Sequence, residues 1–335
     1  MKWSAIRTWD WYQSRPWLCG FNFIPSTAIN STEMWQREAF DLETVDSELG
    51  RAQDIGFNSC RVFLQYLVWH DDPNGLTQRI DQFLEAADRH KISTMFCLFD
   101  DCAFSGKQPH LGRQDDPIPG VHNSGWTPSP GHERVVDGRI WPRLENFVAS
   151  IVSHFARDQR ILAWDVYNEP GNGGMTGRSL PLLRQAFRWA RNGEPEQPLT
   201  AAIWDESPEG ITKVMLELSD IITFHNYGSL PAVQKQVLNL KSYGRPVVCT
   251  EWMARHHGSL FETHLPFFER ERIGCYCWGL VNGKTQTHFP WGSSSGAAEP
   301  DVWFHDLLHR NGKPYRKKEI AVIREYTESS MNGQR

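Results

Sequence analysis

Trp164-Asp165-Val166-Tyr167-Asn168-Glu169-Pro170 is the stretch on which the reading of the fold turns. It reads as a short buried strand that ends on an amide, a carboxylate and a proline. Glutamate is poorly suited to a buried strand. Pro170 takes the chain out of a hydrogen-bond ladder, so Glu169 belongs at the strand's exit. A second run, Pro246-Val247-Val248-Cys249-Thr250-Glu251-Trp252, has the same shape. Two strands that each deliver one glutamate at the carboxyl end point to a paired-carboxylate active site.

Working outward, short apolar strands are expected at 18–24, 59–64, 93–99, 161–168, 199–204, 221–225, 247–251 and 274–280. Amphipathic helical patterns alternate with them at 43–55, 78–90, 141–156, 180–191, 211–218, 232–243 and 260–270, and a last helix near 318–328 closes the chain. A strand-helix unit repeated eight times predicts an α/β protein, a (β/α)8 TIM barrel. A doubly wound open sheet usually shows a glycine-rich first turn, which Gly20-Phe21-Asn22-Phe23 does not provide. The 335 residues show no composition break or long linker, so one domain is expected over 1–335, with a lead to about residue 16 and a C-terminal helix at about 316–330. Two long loops, 101–135 and 282–304, are expected to act as lids or binding walls.

Composition narrows the function. Hydrophobic residues make up 40% of the chain and charged residues 22%, as in an ordinary globular protein. A formal net charge of −5 argues against nucleic acid or an anionic membrane as the main partner. Arg316-Lys317-Lys318 is the dense basic cluster and reads as a solvated helix start. The first ten residues lack the apolar core of a secretory signal, and no apolar run approaches a membrane span, so a cytoplasmic location is expected, or a secreted one if a signal has been removed. The seven cysteines fall in or just after expected strands and read as buried reduced thiols. Fifteen tryptophans suit a protein that stacks flat apolar faces.

In a barrel, the polar residues at the carboxyl ends of the strands are the informative ones. They are Asn22 near the end of the first strand, Arg61 in the second, Asn168-Glu169 at the end of the fourth, His225-Asn226-Tyr227 at the end of the sixth, Glu251 at the end of the seventh and Trp278 in the eighth. Two facing carboxylates can cleave a glycosidic bond. One donates a proton to the leaving oxygen; the other attacks the anomeric carbon or activates water. Arg61 and Tyr227 would favour the charged form of Glu251, as a nucleophile requires. Desolvation and the nearby Glu251 would raise the pKa of Glu169, as a general acid requires. Asn168 could hydrogen-bond a sugar 2-hydroxyl.

Asn168-Glu169-Pro170, His225-x-Tyr227, Glu251 and Trp278, in this order with Arg61, resemble the clan A glycoside hydrolases, and among them the cellulase-like glycoside hydrolase family 5. The resemblance spans about residues 17 to 310. It implies a carbohydrate substrate and retaining double displacement, with Glu169 as acid/base, Glu251 as nucleophile, and neither metal nor cofactor. It also implies that Arg61 and Tyr227 orient Glu251, that His225 lies near the acid/base, and that Trp278 floors the sugar subsite. A transglycosylase using the same residues and a non-catalytic carbohydrate-binding barrel are the alternatives. Phe99-Asp100-Asp101-Cys102 and Asn22-Phe23-Ile24-Pro25-Ser26 depart from the family pattern, and Asp100 and Asp101 carry no assigned role. Asn22 either supports a subsite or caps a loop. Trp69, Trp126, Trp204, Trp252 and Trp291 could each be packing or a sugar platform; Trp126 and Trp252 are carried as substrate-binding candidates.

Other motifs are set aside. Gly292-Ser293-Ser294-Ser295-Gly296 lacks the strand and helix of a nucleophile elbow. Gly171-Asn172-Gly173-Gly174 lacks the Lys-Ser/Thr of a phosphate loop and reads as room beside Glu169. His256-His257 and His70-Asp71-Asp72 do not have metal-ligand spacing.

Overall fold

A computed structural model of the chain describes residues 2–204 and 206–332, the side chains of residues 105 and 330–332 excepted. Eight strands form the centre: β1 Cys19–Phe23, β2 Ser59–Phe63, β3 Ser93–Cys97, β4 Ile161–Asp165, β5 Leu199–Thr200, β6 Ile222–His225, β7 Val247–Trp252 and β8 Gly274–Trp278. They run in the order β5-β4-β3-β2-β1-β8-β7-β6, with parallel ladders between neighbours. A bridge between Ile203 and Phe224 joins the two ends of that order. The Ile203 N–H donates to the Thr223 carbonyl at 2.9 Å, and the His225 N–H to the Ile203 carbonyl at 2.7 Å. The sheet is thus a closed (β/α)8 barrel, as the sequence pattern predicts.

The strands end earlier than expected on the side that matters. The run expected at 199–204 keeps two ladder residues and a bridge, and the run expected at 161–168 stops at Asp165. The lead is not featureless either. Ala5–Gln13 is a helix capped by Ser4. Trp3, Trp11 and Tyr12 pack with Leu18, Met95, Leu162, Ile221, Val248 and Tyr276, which fills the amino end of the barrel. The Tyr12 hydroxyl donates to the Arg272 carbonyl at 2.8 Å and accepts from the Gly274 N–H at 2.7 Å. Large aromatics buried there contribute roughly 1.5–3 kcal/mol each and leave the carboxyl end as the open one.

Local chemistry explains the frame. The helix Pro73–Arg89 starts five residues before the expected position because Asp72 accepts from the Gly75 N–H and Pro73 pre-sets the first turn. Gly20 lets β1 close on its neighbours: a Cβ there would stand 2.4 Å from the Ser59 carbonyl oxygen and 2.8 Å from the Tyr276 ring. The seven cysteines are free thiols. Among the described residues, no helix is long and apolar enough to cross a membrane.

Candidate active site

Arg61 sits on β2 with no exposed surface. Its five N–H donors are all engaged. Nε and one Nη meet Asp165 Oδ2 at 3.1 and 2.7 Å. That Nη also donates to Asn168 Oδ1 at 2.6 Å. The other Nη donates to Asn22 Oδ1 at 2.9 Å and to Glu251 Oε1 at 2.8 Å. A buried guanidinium in this fork sets four side chains from three strand regions at once. Asn22 proves to be a support: its amide also donates to the carbonyls of Thr250 and Cys277, at 2.8 and 3.3 Å. Asp165 was not singled out by the sequence reading. It is the first counter-ion of Arg61 and is fully buried.

Glu251 closes the β7 end of this network. Its second oxygen accepts from the Tyr227 hydroxyl at 2.8 Å. Glu169 stands opposite, with Oε1 at 2.8 Å from His225 Nδ1 and Oε2 accepting from the Asn172 amide. One donor atom each from Glu169, His225 and Glu251 lies within 4.8 Å of the others. His225 Nε2 is 3.5 Å from Glu251 Oε1 and makes no hydrogen bond among the described residues.

Burial sets the protonation. It lifts the Glu169 carboxyl to about 7, against the hydrogen bond from Asn172 and the charge of Arg61. Burial, joined by the charge of nearby Glu169, also lifts Glu251, against His225, Arg61 and the Tyr227 donor. The expected charge-favouring contacts of Glu251 are therefore present and are outweighed by desolvation. Burial lowers His225 to about 4, so its ring is neutral at pH 7. A neutral ring between two carboxyls has one proton to place. With Glu169 ionised, Nδ1–H donates to it; with Glu169 protonated, the carboxyl donates to Nδ1 and the ring proton moves to the Glu251 side.

The backbone at Glu169 is itself constrained. Its φ is +43°, in the left-handed region that side-chain-bearing residues rarely adopt. The two aspartates without an assigned role hold this turn. Asp101 accepts from the Tyr167 hydroxyl at 2.7 Å, from the Gly171 N–H at 2.7 Å, and from the Ser179 hydroxyl. Asp100 accepts from Asn168 at 2.8 Å, the Cys102 N–H at 2.9 Å and Trp126 Nε1 at 2.8 Å. Both are buried. They act as scaffold under the turn that presents Glu169.

The pair faces a cavity of about 530 Å³, within the roughly 300–1,000 Å³ of small-molecule pockets. Asn168, Glu169, His225, Tyr227, Glu251, Trp126 and Trp278 all line it. Trp278 meets Trp126 edge-on at 5.8 Å and Phe63 at 5.8 Å, which fixes the floor. Trp204, Trp291 and Glu206 also line the cavity. Trp252 does not. It is 1% exposed and packs against Phe261, His264 and Phe268 on the outer face of β7. Strand alternation requires this, because Glu251 points inward and its neighbour must point out. Trp252 is therefore core and no sugar contact. Trp69 is also core, against Tyr66 and Phe147.

Glu169, His225 and Glu251 are ligand-type groups within coordinating range of one cation. The Arg61 guanidinium already stands 2.8 Å from Glu251. Its charge opposes a metal ion at that position.

No family profile matches the chain, and no curated protein matches it in sequence. Solved structures do match in fold. A GH5_18 variant from Streptomyces cattleya in complex with Manb1-4GlcNAc superposes with a TM-score of 0.61 at 15% identity, covering 96% of this chain and 81% of that one. The endo-beta-1,4-mannanase of Thermotoga petrophila gives 0.61 at 15% identity, covering 97% and 79%. An exo-beta-1,4-mannosidase from Opitutaceae bacterium strain TAV5 gives 0.58 at 16% identity, covering 94% and 60%. The barrel of this chain is similar in fold to the barrels of these structures.

Proposed function

We propose that the chain hydrolyses β-linked glycosides with retention, by double displacement. The observation that carries this is the unequal furnishing of two adjacent carboxyls. Glu251 has an arginine and a phenol on its two oxygens. Glu169 has a neutral imidazole and an amide. An oxygen of each lies within 4.8 Å of the other, a proximity that fits the roughly 5–5.5 Å between the carboxyl groups of retaining sites.

In this mechanism Glu251 attacks the anomeric carbon while Glu169 protonates the leaving oxygen. The covalent glycosyl-enzyme is then hydrolysed by water that Glu169, now ionised, deprotonates. Asn168 gives one N–H to Asp100, and its second N–H can meet the sugar 2-hydroxyl. Two of the three similar structures carry mannanase or mannosidase names and the third binds Manb1-4GlcNAc, so β-mannosides head the substrate panel, followed by β-glucosides.

The test is the Glu251→Ala variant. Turnover of an aryl β-glycoside should fall by a factor on the order of 10^4 or more. Added azide should restore it and yield the α-glycosyl azide. Retained activity without azide would sink the assignment.

A further inference from the structure

The two long loops are sewn to each other. The Asn123 N–H donates to the Thr285 carbonyl at 2.7 Å. The side chain of Gln286 accepts from the Gly120 N–H at 3.0 Å and donates to the Ile118 carbonyl at 2.8 Å. His122 donates through its N–H to Ser293 Oγ at 3.0 Å and through Nδ1 to the Phe289 carbonyl at 2.7 Å. The Gly296 N–H donates to the Pro119 carbonyl at 2.8 Å. One loop follows β3 and the other follows β8, so the seam crosses the mouth over the ends of β1 and β2.

The position of this seam decides what fits. The leaving group must lie beside Glu169, on the side of Trp204 and Glu206, which follow β5 across the barrel from β1 and β2. Glu206 is exposed there. The sugar that becomes covalently bound lies over Trp278 and against Glu251. Beyond it stand His122, Asn123 and Trp126 from the first loop, with Trp291 from the second. Trp291 meets Tyr227 edge-on at 5.0 Å and closes the flank.

The wall also carries groups that await a polar ligand. His122 Nδ1–H is held by a carbonyl, which leaves Nε2 as an acceptor. Asn123 lines the cavity, is 1% exposed, and its side-chain oxygen is buried with no hydrogen-bond partner among the described residues. Its backbone is held at φ +48°. An acceptor and an unsatisfied amide in a fixed wall are the groups that read hydroxyls, and leaving such an amide unpaired is costly.

We infer that the cavity admits a single sugar on the glycone side, so the enzyme removes terminal residues from non-reducing ends, with Asn123 reading a hydroxyl of that terminal sugar. This rests on the glycosidase reading above. The test uses the wild-type chain with β-1,4-mannotetraose and cellotetraose labelled at the reducing end. The first labelled product should be the trisaccharide alone, and capping the non-reducing 4-hydroxyl should stop the reaction. Labelled mono- and disaccharide present from the earliest times would overturn the inference and leave the glycosidase reading standing. No hydrolysis of any member of the panel would overturn both. Asn123→Gly keeps the backbone conformation accessible. It should raise KM for 4-nitrophenyl β-mannoside or β-glucoside about ten-fold, as for one lost hydrogen bond, with kcat within about two-fold. An unchanged KM would remove Asn123 from the role.

Discussion

Two buried arginines in this molecule each engage all five of their N–H donors, and they differ in what they hold. Arg255, after β7, grips Glu319 of the C-terminal helix at 2.8 and 2.6 Å and gives its remaining donors to the carbonyls of Trp303, His305 and Asp306. Glu319 is sealed, with 1% of its side chain exposed. Arg61 divides itself between Asp165, Asn22, Asn168 and Glu251. Glu251 keeps 7% of its side chain open to the cavity. The same guanidinium chemistry closes a structural joint in one place and fixes cavity-lining polar groups in the other. What separates them is the partner's remaining access to a ligand.

The sharpest way to break this contrast is to remove each arginine. Arg61→Met should cost activity on the order of 10^4-fold, since it frees both Glu251 and Asn168. Arg255→Met should destabilise the fold by about 3–5 kcal/mol, because it strands a buried carboxylate. The folded fraction of that variant should keep its kcat. Thermal unfolding combined with kcat per folded molecule distinguishes the two, and an Arg255→Met variant that is stable but inactive would erase the distinction.

Glu169 has no arginine, and it tests the other half of the comparison. Glu169→Gln should slow glycosides with poor leaving groups by about 10^2–10^4-fold. Activated dinitrophenyl glycosides should suffer less in the bond-breaking step. The proton donor must be protonated, so wild-type kcat/KM should fall as pH rises through about 7. The variant should lack that limb. The same raised pKa has a stability consequence. An unfolded glutamate ionises near 4.5, whereas the folded one holds its proton to about 7, so wild type loses stability between those values as pH rises. Glu169→Gln should therefore unfold at a higher temperature than wild type at pH 8, and at nearly the same temperature at pH 4.

Tyr227→Phe removes one donor from Glu251 and leaves Arg61 in place, so a smaller loss of about 10–10^2-fold in kcat is expected, with little change in unfolding temperature. Trp252→Ala should change kcat least of all and still cost about 3–5 kcal/mol of stability, as a cavity behind β7 would. A large KM effect in that variant would contradict its place in the core.

The alternation of apolar strands with amphipathic helices is a long-range pattern, and it made the barrel legible. The strand-end glutamates were legible because a carboxylate is out of place in a buried run. The turn at Glu169 was not: its left-handed φ is accompanied by contacts from Asp101, on the neighbouring loop after β3, to Gly171 and Ser179. Asp165 escaped notice because the ladder stops there and simple alternation no longer says which way a side chain points. Trp252 could have been excluded from its parity with Glu251 alone. Trp204 and Trp291 could not have been sorted from packing residues, since their positions are set by loop paths without a periodic signal.

The seam between the loops also bears on time and heat. A wall that is hydrogen-bonded before a sugar enters has little left to order. Ligand binding should then leave amide hydrogen exchange at 118–123 nearly as slow as before. Its heat-capacity change should reflect the surface covered by the sugar, with no added contribution from a folding loop. A wall so arranged gives up adaptability: it meets a ligand in the one shape it already has.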